Sequence, residues 1–109
     1  KANGAGAFVE FEKGYQSLNN NDEVMDIIVD TAKEVVGVDH IEMKEQPSLG
    51  VEDFSYFLDH AKGAFFHLGC GYPNQKNAPL HSDTFELNEA CISCGIMMEI
   101  CSSLKLLEK

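Results

Sequence analysis

Apolar and polar positions alternate over residues 7–13, with Ala7, Val9 and Phe11 on one side and Phe8, Glu10 and Glu12 on the other. A period of two predicts a strand with one face near solvent. The period then lengthens. Beyond a polar connection over residues 14–21, Val24, Ile27, Ile28, Thr31 and Val35 recur at helical spacing, and Asp26, Asp30 and Lys33 take the far side. Asn19, Asn20 and Asn21 provide capping side chains, Asp22 and Glu23 suit the positive end of the helix dipole, and Gly37 provides a left-handed stop.

Further along, residues 38–43 read as a short strand and residues 47–50 as a loop. Phe54, Phe57 and Leu58 mark a short helix from Asp53 to about His60. The nearly continuous apolar run Ala64-Phe65-Phe66-His67-Leu68 predicts a strand covered on both faces. Residues 69–83, rich in Gly, Pro and Asn, form the longest irregular stretch. A last helix is expected from about Asn88 to Leu107, apolar on most sides and therefore a core helix. Strand, helix, strand, helix, strand, helix predicts an α/β layer architecture. At 109 residues the chain has room for one compact domain burying roughly 65% of its unfolded surface.

Charge narrows the partners. All eight basic residues are lysines, scattered from Lys1 to Lys109, against eighteen acidic ones, for a net charge of -10. Phosphate backbones and anionic lipid need clustered cations, so neither nucleic acid nor a membrane surface is expected as a partner. No unbroken apolar run approaches the roughly 20 residues of a membrane span. The first residues carry no apolar leader, and a start at Lys1 without Met suggests a chain cut from something longer. Four cysteines in a chain of this size, three of them within one predicted helix, point to a reducing, cytoplasmic setting.

Candidate chemistry is sparse. His81 follows the last predicted strand and precedes the last helix, where open α/β sheets hold ligands. Its imidazole could serve a metal, or it could be an ordinary loop histidine. His67 reads as a hydrogen-bonded core residue. Glu52 and Asp53 stand just ahead of a helix: Asp53 could cap it, or the loop Gly50-Val51-Glu52-Asp53 could line a pocket. Cys91, Cys94 and Cys101 share one helix stripe, as buried small hydrophobes or as a cysteine–metal module. Gly95 beside them would let another backbone approach. There is no P-loop, dinucleotide fingerprint, nucleophile elbow or H-E-x-x-H in the chain.

Three stretches, in order, resemble the C-terminal end of the metal-dependent amidohydrolases of the aminoacylase and carboxypeptidase family, above all the branch acting on N-acyl amino acids, hippurate and auxin conjugates. Gly50-Val51-Glu52-Asp53-Phe54-Ser55-Tyr56-Phe57 is similar to G-A-E-D-F-S-x-F. Gly63-Ala64-Phe65-Phe66-His67-Leu68-Gly69 is similar to P-G-x-F-x-x-L-G. Leu80-His81-Ser82-Asp83-Thr84-Phe85, followed by Asn88-Glu89 and Gly95, is similar to H-S-x-x-F-x-x-D-E and a helix glycine. Tyr15 to Asn20 looks like a weaker Y-P-x-x-x-N-D, with Gln16 in place of proline and Asn21 in place of aspartate; Lys62 replaces the proline before Gly63.

The resemblance implies that His81 is the last ligand of a dinuclear centre holding zinc or manganese, with Gly50, Glu52 and Asp53 near the pocket. It implies that residues 1–18 end an α+β lid or dimerisation domain with its last strand. Residues 19–109 would be the C-terminal portion of a three-layer αβα catalytic domain. The substrate would be an N-acyl amino acid or small peptide, attacked by a metal-activated water. In the family the catalytic glutamate and the other ligands belong to motifs upstream of this segment. No catalytic residue is therefore assigned here, and the chain alone is expected to be inactive and, with unpaired edges, to form homo-oligomers. A non-catalytic binding or dimerisation module retaining the same shape is the alternative.

Overall fold

Asn21 starts the first helix as its sequence predicts. Its side-chain oxygen accepts from the backbone N–H of Val24 at 3.2 Å, and helix α1 runs over Asp22–Val35 in the computed structural model, which describes residues 3–108. Val24, Ile28 and Thr31 of the predicted stripe are buried, and Gly37 follows the helix with φ of 85°. Helix α2 spans Ala90–Leu107 and packs on α1. Val24, Ile28 and Met98 form the core, flanked by Met25, Ala32, Val35, Ala64, Phe66 and Cys94. Thr31, fully buried, returns its hydroxyl to the Ile27 carbonyl at 2.8 Å. An ion pair from Lys105 to Glu34 at 2.7 Å joins the two helices near the surface.

The predicted α/β architecture does not form. No strand occurs among the described residues, so there is neither a three-layer αβα sheet nor a last lid strand. Residues 7–13 are exposed and irregular, with Phe8 and Phe11 about nine-tenths accessible. Val38–His40 is a short 3-10 helix in place of a strand, and Asp53–Asp59 is likewise 3-10. The physical reason is that a strand is defined by a ladder of hydrogen bonds to a neighbour, which alternation in sequence cannot itself provide.

Residues 63–67 show this most clearly. Ala64 and Phe66 pack on the helical core, whereas Phe65 meets Phe54 and, edge-on, His67. Side chains thus alternate as in a strand, yet the backbone partner is a side chain. The Asn20 carboxamide accepts from Phe65 N–H at 2.8 Å and donates to its carbonyl at 2.9 Å, standing in for a peptide group. Next to it, Asn21 N–H donates to the Gly63 carbonyl at 2.9 Å. Replacing Asn20 by alanine is expected to destabilise the chain by about 1–2 kcal/mol, two hydrogen bonds' worth. Chemical denaturation followed by circular dichroism checks this; an unchanged midpoint would show the clamp to be inert.

The residues that stand in place of the motif's two prolines and its aspartate are employed here. Gln16 donates to the Ser55 carbonyl at 2.7 Å, Asn21 caps α1, and Lys62 pairs with Glu23 at 2.6 Å.

Burial falls well short of the expected compact domain. The accessible surface is 9536 Å², against about 6,000 Å² for a compact chain of this mass. The radius of gyration is 19.4 Å, where about 13 Å is usual. Helix α2 is therefore less of a core helix than its composition predicts: Met98 and Ser102 are its buried residues, while Ile92, Ile96, Ile100 and Leu104 face outward. With 18 residues and a mean hydropathy of 1.5, it is long and apolar enough to cross a membrane by length and composition. Counting unbroken apolar runs misses this because Glu99 and Lys105 interrupt it. Core helices of soluble proteins meet the same criterion.

Candidate functional site

The region around His81 is irregular but not unorganised. Its ends are tied: Asn88 N–H donates to the Cys70 carbonyl at 2.8 Å, and the Tyr72 hydroxyl to the Leu87 carbonyl at 3.3 Å. Inside it, one side chain closes a smaller loop. Asn77 accepts from Tyr72 N–H at 2.8 Å and donates to the carbonyls of Tyr72 at 3.0 Å and Gln75 at 3.4 Å. A tight turn follows, closed by Ser82 N–H donating to the Pro79 carbonyl at 3.3 Å. Beyond it the Ser82 hydroxyl accepts from Thr84 N–H at 3.2 Å and bonds the Thr84 hydroxyl at 2.9 Å.

His81 occupies the third position of that turn with φ of 65°, and is exposed. Left-handed backbone there is the province of Gly and Asn, and costs a residue with a Cβ about 1–2 kcal/mol. Such strain survives where surrounding contacts fix it, and it gathers at functional positions. His67, in contrast, is not a core residue: it is exposed and rests edge-on against Phe65 at 5.4 Å.

The carboxylates have a different task from the one predicted. Glu52, not Asp53, caps the 3-10 helix, its side chain accepting from Phe54 N–H at 3.2 Å. Asp53 begins the helix and is exposed; Gly50 lies in an exposed bend with open space where a side chain would stand. A depression of about 280 Å³ is lined by Asn19, Asn21 and residues 58–63, and one of about 590 Å³ by Ile27, Lys105 and neighbouring charges. His81, Gly50, Glu52 and Asp53 line neither.

No group of three or more His, Cys, Asp or Glu side chains suited to a metal ion forms among the described residues. The cysteine stripe accordingly assembles no such group; the four thiols are free and partly buried, and Cys94 packs on the core. Gly95 does admit a close neighbour, but it is the side chain of Leu68 rather than a backbone: a Cβ at Gly95 would lie 2.9 Å from its Cδ2. Sequence reasoning missed Asn77. Its one available signal was its position in a Gly- and Asn-rich stretch six residues after Gly71.

Residues 6–102 match the model of peptidase family M20/M25/M40. The chain belongs to this family. Among curated relatives, a Synechocystis sp. protein named a probable hydrolase is 37% identical over 95 residues, covering 86% of this chain and 24% of the relative. Thermostable carboxypeptidase 1 of Saccharolobus solfataricus is 32% identical over 114 residues, covering 97% of this chain and 26% of the relative. Hippurate hydrolase of Campylobacter jejuni is 30% identical over 74 residues, covering 68% and 18%. The chain thus spans about a quarter or less of the curated relatives it matches. No solved structure matches it. Members of the M20 family are generally metal-dependent.

Proposed function

We propose that the chain contributes the last metal ligand, His81, to a dinuclear zinc or manganese amidohydrolase acting on N-acyl amino acids or small peptides. The observation that carries this reading is the turn at residues 79–82, which holds an exposed imidazole in left-handed backbone at the family's histidine motif. The names of the hippurate hydrolase and carboxypeptidase relatives support an amide substrate bearing a carboxylate. When bound, the metal would polarise the amide carbonyl and activate water. His81 would supply one position of its coordination, and no group of three or more His, Cys, Asp or Glu side chains completes a site among the described residues.

A domain boundary near residue 18 goes with this reading. Residues up to 18 would belong to the lid, while Asn20 and Asn21 anchor the remainder to residues 63–65.

The same reading makes the chain alone catalytically silent, because three protein ligands are the usual minimum for a catalytic metal. Titrating it with zinc or manganese should show no stoichiometric binding at micromolar protein, and hippurate should not be hydrolysed. Tight one-to-one binding would contradict the proposal.

A further inference from the structure

The irregular segment that carries His81 holds its own positioning device. The Asn77 carboxamide makes three hydrogen bonds within residues 72–75, and it lies against Gly71 so closely that no other residue fits there undisturbed. A Cβ built at Gly71 would fall 2.7 Å from Asn77 Nδ2 and 3.0 Å from its Cγ. Those atoms belong to a flexible side chain, but moving them breaks the bonds they make. Gly71 is therefore required by a neighbour rather than by its own backbone, as it has no positive φ.

From Asn77 the path to His81 is short, with three residues between them. Pro79 has a fixed φ and accepts the hydrogen bond that closes the turn from Ser82. At the other end the Tyr72 hydroxyl and the Cys70 carbonyl anchor the segment to residues 87–88, next to α2. Asn77 thus ties the start of the turn back to Tyr72, whose hydroxyl reaches the Leu87 carbonyl.

We propose that Asn77, seated on Gly71, is a positioning residue for His81: by ordering the segment just ahead of the turn, it favours the placement in which the imidazole would serve as a ligand. This rests on the reading of His81 as a ligand. Asn77 itself touches neither substrate nor metal; its effect passes through the backbone of residues 78–81.

The test is a double-substitution cycle in the full-length gene product, with three readouts: hydrogen exchange at the Tyr72 amide, zinc affinity, and kcat with KM. Asn77→Ala should speed Tyr72 exchange about fivefold. It should weaken zinc binding roughly 10-fold, with kcat falling more than KM rises. Gly71→Ala should reproduce these losses by displacing the carboxamide. Made together with Asn77→Ala it should add nothing, because the clash is gone. Asn77→Asp keeps the acceptor for Tyr72 N–H but loses both donors, so it should leave Tyr72 exchange close to that of the parent while weakening zinc binding as Asn77→Ala does.

Additive effects of Gly71→Ala and Asn77→Ala would overturn the proposal. So would faster Tyr72 exchange with unchanged zinc affinity, since the loop would then be ordered without placing the ligand. His81→Ala is the control that separates the two readings. If it weakens zinc binding while Asn77→Ala does not, only the positioning role fails. If neither affects zinc, the assignment of His81 fails and the positioning role with it.

Discussion

Replacing His81 by glycine in the full-length gene product should separate stability from function. Zinc affinity and kcat are expected to fall roughly 100-fold or more, since losing even a group behind a ligand costs 10- to 100-fold and His81 is proposed as the ligand itself. Thermal stability should hold or rise. Glycine adopts a φ of 65° without the penalty a Cβ imposes, so the turn sheds about 1 kcal/mol of strain. His81→Ala should lose the same activity without that relief. A histidine kept only for its loop conformation predicts the reverse: glycine would be harmless in both respects. Retained activity with a stabilised turn would remove His81 from the chemistry.

The second large effect concerns the core. Met98 is 4% exposed and is the buried apolar residue that α2 offers to Val24 and Ile28 of α1. Truncating it to alanine should cost about 2–4 kcal/mol, the transfer of its side chain plus the cavity left behind. With three buried apolar side chains among the described residues, none of them fully buried, the chain cannot have the stability of a well-packed domain, at about 5–15 kcal/mol. Met98→Ala should therefore unfold most of the isolated chain at 25 °C, seen as lost helical circular dichroism. Met97 is about half exposed, and Met97→Ala should change little. Equal effects at the two positions would mean that α2 packs by another face.

What could be read from the sequence was what is local. Asn21 caps α1 because an asparagine ahead of an apolar stripe needs nothing beyond the next three residues. The stripe buried Val24, Ile28 and Thr31 because helical periodicity fixes a face wherever its partner comes from. The short helix at Asp53 was placed correctly, but Glu52 took the capping role assigned to Asp53: adjacent carboxylates look alike in sequence, and only the backbone decides which oxygen reaches Phe54 N–H.

Strands were not legible in the same way. Residues 64–67 are not the strand covered on both faces that their apolar run predicts. Their side chains alternate, and their backbone partner is the Asn20 side chain, some 45 residues away in sequence. No periodicity forecasts a carboxamide replacing a peptide. Residues 7–13 alternate equally well and pair with nothing among the described residues. The site followed the same rule. His81 stood out through its motif, while Asn77 did not, because a polar residue in a Gly- and Asn-rich loop carries no mark of the three bonds it will make.

Anomalous diffraction at the zinc edge from crystals of the full-length, zinc-loaded protein would decide most. A density peak about 2.0–2.1 Å from an imidazole nitrogen of His81 is the predicted result. A fully occupied metal centre elsewhere, with that ring open to solvent and bound to nothing, would contradict the assignment.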